Sequence, residues 1–128
     1  MDRWLGSHAE RIYAILRVIT GILFACHGAQ KLFGALGGTA MTSNPMMLVA
    51  GIIEFGGGLL IALGFLTSWA AFLASGEMAV AYFMVHAKGS FWPIINKGEL
   101  AVVYCFLFLY IAARGAGPHS MDAAMRKR

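Results

Sequence analysis

Four long apolar stretches, parted by short polar or glycine-rich segments, run the length of the chain. They predict helices over about 12–33, 46–66, 69–87 and 98–113. A membrane-crossing helix needs about 20 apolar residues to span a hydrocarbon core of about 30 Å. The first three stretches reach that length, and the fourth, from Gly98 to Ala113, is somewhat shorter. Between them, Gly34–Pro45 reads as a loop from its Gly, Ser, Asn and Pro content, and Phe65–Ser68 as a turn. Residues 88–97 (KGSFWPIINK) read as an interfacial loop, and Gly115, Gly117 and Pro118 open a polar tail. Residues 1–11 form an amphipathic lead-in rather than a cleaved signal, because the apolar stretch after it is long, contains Arg17 and lacks a small-residue cleavage site. The expected fold is all-α: one domain over 1–128, a polytopic membrane protein built as a four-transmembrane-helix bundle.

Composition agrees with the pattern. Of 128 residues, 59% are hydrophobic and 12% charged, against about a quarter charged in an ordinary soluble domain. The net charge of +4 does not point to nucleic acid, since the only basic run is Arg126, Lys127 and Arg128. Charges flanking membrane helices explain it. The terminal segments carry Arg3, Arg11, Arg114 and that run, whereas loop 34–45 has no charge and loop 88–97 only Lys88 and Lys97. The positive-inside tendency therefore places both termini in the cytoplasm of a bacterial-type inner membrane. Trp4 and Trp69 then mark the inner interface, and Trp92 the outer one.

Ionisable residues inside the apolar stretches change the picture most. Arg17, His27 and Lys31 lie within roughly 80° of one another on a helical wheel, and Glu54, Glu77 and Glu99 fall one to each later stretch. Such groups are expensive in a bilayer and face a protein interior, a cavity or a partner charge. They can tie helices together, but buried ion pairs stabilise poorly compared with apolar packing. Several of them in so short a chain indicate a polar cavity. Depth counting brings His27, Lys31, Glu54, Glu77 and Glu99 into the outer half and leaves Arg17 on the inner half, with glutamates as the expected partners of the basic face.

His27 is the leading candidate for chemistry, because an imidazole can donate to a quinone carbonyl, pass a proton or bind a metal, and a nearby carboxylate would fix its tautomer; Glu54 is the second catalytic candidate. Arg17, Lys31, Glu77, His86 and Glu99 are candidate ligand-binding groups, and Phe24, Phe33, Phe55 and Tyr104 candidate apolar walls. No metal site is expected, since the sequence has no HxxxH or CxxC. Cys26 and Cys105 are expected to pack as small apolar groups, although both count to a similar depth. Gly56-Gly57-Gly58 beside Glu54 permits close helix approach or a locally loosened backbone.

Taken together, Arg17-x3-Gly21-x5-His27-Gly28-x2-Lys31-x-Phe33-Gly34 resembles the first-helix signature of the DoxX family of small four-helix membrane proteins. Glu54-x-Gly56-Gly57-Gly58 is similar to its second-helix motif. His86, Asn96-x-Gly98-Glu99 and Gly115-x-Gly117-x2-Ser120-x-Asp122 resemble its third helix, outer loop and C-terminal motif. Glu77 has no counterpart in that pattern. The resemblance implies a quinone-facing or accessory subunit of a membrane oxidoreductase system, with quinone as the cofactor. It also implies the lipid bilayer, a soluble redox protein and other copies of the chain as partners. Two alternatives are a small proton-coupled transporter and a membrane anchor or assembly protein for soluble redox enzymes.

Overall fold

The computed structural model describes residues 2–126; Lys127 and Arg128 of the basic run lie outside the described residues. Among the described residues the chain is helical and has no strands. A short helix α1 (Asp2–Gly6) leads into α2 (Ala9–Phe33), followed by α3 (Pro45–Leu63), α4 (Thr67–His86), the one-turn α5 (Pro93–Asn96), α6 (Glu99–Arg114) and α7 (Met121–Arg126).

Helices α2, α3 and α4 are long and apolar enough to cross a membrane. Helix α6 has 16 residues, about 24 Å at 1.5 Å per residue, and packs along α4 within the same bundle. The outward surface is apolar. Ile15, Ile19 and Leu23 on α2, Trp69, Phe72 and Leu73 on α4, and Phe106 on α6 are all exposed. In water that arrangement would be unfavourable; in lipid it has no hydrophobic cost.

Two helix pairs build the bundle: α2 lies on α3, and α4 lies on α6. Small residues set the first contact. A Cβ on Gly58 would fall 2.5 Å from the Ala25 nitrogen and 2.6 Å from the Gly21 oxygen, and one on Gly28 would collide with the backbone of Phe55. Gly58 therefore works by close packing. Gly56 and Gly57 face more open space and belong instead to a π-helical turn, Ile53–Gly57, that interrupts α3. Both expected uses of the glycine triplet are thus present, one residue apart. Across the bundle, Phe24, Ile61, Ala71, Ala74, Phe108 and Ile111 form the dry core. Ser75 Oγ on α4 donates to the Cys105 carbonyl on α6 at 2.7 Å.

Helix ends follow local chemistry. Asn44 accepts from the Met46 nitrogen at 3.0 Å and precedes Pro45, a normal helix start. Gly34, with φ of 67°, ends α2 in the left-handed conformation. At the opposite end of the bundle, the 115–122 segment folds over the α3–α4 turn. Asp122 Oδ1 and Oδ2 accept from the backbone nitrogens of Leu66 and Thr67 at 2.9 and 3.1 Å, capping α4 from a distant part of the chain.

Arg17 belongs to this clamp, and here the expected glutamate partnership is corrected. The residue is 2% exposed, and its guanidinium donates to four carbonyls: Ile61 at 2.9 Å, Ala116 at 2.6 Å, Ala62 at 3.4 Å and His119 at 3.2 Å. The last carbonyls of a helix have no intrahelical partner, and the fork of Arg donors supplies one to α3 and the tail together. Glu54 is seven residues, about 10 Å, farther along α3. Tyr13 completes the clamp by donating to the Gly115 carbonyl at 2.6 Å, with the Arg114 guanidinium 4.2 Å from its ring centre.

Candidate functional site

At the end of the bundle away from Arg17, α2, α3, α4 and α6 enclose a cavity of about 950 Å³, within the range of small-molecule sites. Its walls are mostly apolar, and its polar groups are few. Lys31 Nζ contacts Glu54 Oε1 at 2.6 Å, with the glutamate side chain 2% and the lysine side chain 24% exposed. The Glu77 carboxyl lies beside that of Glu54, and Glu77 Oε1 is buried with no hydrogen-bond partner among the described residues. His27, His86 and Lys97 also line the space.

Local structure aims these groups inward. Contact of Gly28 with the Phe55 backbone brings the flanking His27 and Glu54 to the same level of the bundle. The π-helical turn carries Glu54, and a second one, Tyr82–His86, carries His86. Such turns often occur at functional sites because they re-aim side chains. His86 is further fixed by its Nδ1, 3.3 Å from the Asn96 carbonyl oxygen. Asn96 holds the loop itself, donating to the Ser90 carbonyl at 2.7 Å and to Tyr82 Oη at 3.1 Å, and accepting from the Gly98 nitrogen at 2.8 Å.

The expected residues divide. His27, Lys31, Glu54, Glu77 and His86 share the cavity, whereas Arg17 and Glu99 are not among its lining residues. Arg17 lies 14 residues, about 21 Å, from Lys31 along α2. Glu99 is exposed in the first turn of α6, where a carboxylate favours the positive end of the helix dipole. Of the expected walls, Phe24 and Tyr104 line the cavity; Phe33 and Phe55 pair with each other at 5.3 Å between ring centres. The His27 ring stands edge-on to Tyr104 at 6.1 Å, and Tyr104 stacks on Phe108 at 5.3 Å. Lys97 was missed. Its place beside Asn96 was visible in the sequence, but its exposed loop position gave no sign that it reached the edge of the cavity. Cys26 and Cys105 are free thiols. Among the described residues, no group of three His, Cys, Asp or Glu side chains is arranged to hold a metal.

A helical bundle with an apolar outer surface and an ion pair held inside it is the architecture of an integral membrane protein. The comparisons make the class specific: the chain belongs to the DoxX family, whose model matches residues 12–87. It is 43% identical over 131 aligned residues to an uncharacterized protein of Haemophilus influenzae, covering 97% of this chain and 98% of that one. It is 33% identical to the inner membrane protein YqjF of Escherichia coli, covering 89% of this chain and 92% of YqjF. No solved structure gives a significant match.

Proposed function

We propose that this DoxX-family protein crosses the inner membrane four times with both termini in the cytoplasm, and that its cavity receives a quinone as a quinone-facing or accessory subunit of a membrane oxidoreductase system. The observation that carries the reading is the Lys31–Glu54 pair with Glu77 beside it, at the polar floor of a mostly apolar cavity of about 950 Å³. A quinone ring needs that combination: donors for its carbonyl oxygens, groups that exchange protons, and flat apolar walls. Lys31 and His27 would serve the carbonyls, Glu54 and Glu77 the protons, and Phe24 and Tyr104 the ring faces. When bound, the quinone supplies the redox chemistry; the electrons come from a soluble redox partner. The inner-membrane location named for YqjF and the apolar surface of the bundle support the placement.

A second reading, a proton-coupled transporter, is favoured by one feature, the pair of neighbouring carboxyls in a membrane cavity. Binding distinguishes the two. A short-chain quinone is titrated into purified wild type, His27→Ala and Glu54→Gln, with helicity checked in each. The quinone reading expects weaker binding in both variants with the bundle folded. Equal affinity in all three proteins would contradict it and favour transport or an anchoring role.

A further inference from the structure

We propose that the cavity is filled sideways from the bilayer, through a gap between α3 and α4, and that its ligand carries a long apolar tail lying in that gap. The proposal rests on the quinone reading and deepens it by naming the tail-bearing class and its route.

Three observations carry the route. First, α3 and α4 approach each other at the π-helical turn and beyond it, but the preceding segment, Pro45–Ile52, does not pack on α4 to the same degree. The two helices diverge where the cavity lies. Second, apart from Lys97 at the loop end, the side chains that both line the cavity and remain exposed are apolar: Val49 on α3 and Leu73, Val80 and Met84 on α4, between which the gap opens, are 55%, 59%, 54% and 41% exposed. A mouth opening to water would strand this surface, whereas a mouth opening to lipid matches it. Third, Gly76 stands in the lining with nothing within 4 Å of where its Cβ would be. A glycine in the middle of a helix that no neighbour requires leaves a groove one side chain deep beside Glu77.

The polar floor selects the head. Lys31, Glu54, Glu77 and His27 need a small group with both acceptors and exchangeable protons. The groove selects the rest, since an isoprenoid tail leaving by the gap remains among apolar side chains throughout.

The test compares equilibrium binding of a long-tailed isoprenoid quinone and a tail-less benzoquinone to protein in lipid nanodiscs. Gly76→Phe places a ring in the groove without a backbone clash. Val80→Phe does the same from the next turn, and Val103→Phe, on an exposed face of α6 outside the cavity, is the control. Either groove variant is expected to weaken the long-tailed quinone by at least about tenfold, or about 1.4 kcal/mol, while the tail-less quinone binds as in wild type. Val103→Phe should change neither. If both groove variants hold the long-tailed quinone as tightly as wild type while Glu54→Gln weakens both quinones, the route is overturned and the site stands. If Glu54→Gln leaves both affinities unchanged, the quinone reading fails and the route falls with it.

Discussion

Lys31 and Glu54 form a pair whose removal has a readable signature. Breaking a buried pair from one side leaves an uncompensated charge and costs about 3–5 kcal/mol, whereas removing both partners costs far less. Glu54→Leu should therefore destabilise strongly, Glu54→Gln less, and Lys31→Met combined with Glu54→Leu should recover much of the loss. Thermal unfolding of wild type, Lys31→Met, Glu54→Leu and the double variant closes a double-mutant cycle that measures the coupling. Additive shifts would show that the 2.6 Å contact does not persist. Arg17 provides the contrast. Its partners are carbonyls at the other end of the bundle, so Arg17→Ala and Glu54→Gln should be additive. The sequence showed that Arg17 must be satisfied internally, but not by what. Wheel angle gives the direction in which a side chain points, whereas a carbonyl at a helix end offers an acceptor that no residue type announces.

Elements were more legible than their junctions. The four apolar stretches and the loops between them fall close to the predicted boundaries, because hydropathy and Gly, Pro and Asn content act locally. The π-helical turns, one around Glu54 and one ending at His86, leave no periodic signal, and the capping of α4 by Asp122 spans more than fifty residues of chain. That cap can be tested by pH. Burial alone would raise the Asp122 carboxyl, but the Thr67 and Leu66 N–H bonds outweigh it and hold the group below its ordinary value. A carboxyl lowered in the folded state stabilises above its unfolded pKa of about 3.9 and loses that contribution as pH falls through the folded value. Asp122→Ala should cost about 1 kcal/mol near neutral pH, and its difference from wild type should shrink below about pH 4. A difference independent of pH would mean that the carboxylate charge contributes nothing.

For the whole molecule, class and family followed from composition and motif order, while the grouping of the site was only partly visible. Depth along each helix brought His27, Lys31, Glu54 and Glu77 together, because all four count to the same half of the bundle, Lys31 in the last turn of α2 and the others deeper. Glu99 was misplaced into the cluster because a residue in the first turn of a helix can face outward at the same depth. The proposed orientation has its own measurement. Reporter fusions after Met41 and Ser90 should report the periplasm, and fusions after Ser68 and Arg128 the cytoplasm. A cytoplasmic signal from Met41 would reverse the bundle.

The central claim is that the polar floor exists to hold a lipid-soluble ligand, and what accompanies the protein out of the membrane tests it most directly. Wild type and Glu54→Gln, extracted gently and matched for helicity and amount, would be compared by native mass spectrometry and by solvent extraction of bound small molecules. The account predicts a tail-bearing quinone retained near one per chain by wild type and depleted in Glu54→Gln. The same molecules in the same amounts from both proteins, or no quinone from either, would contradict it.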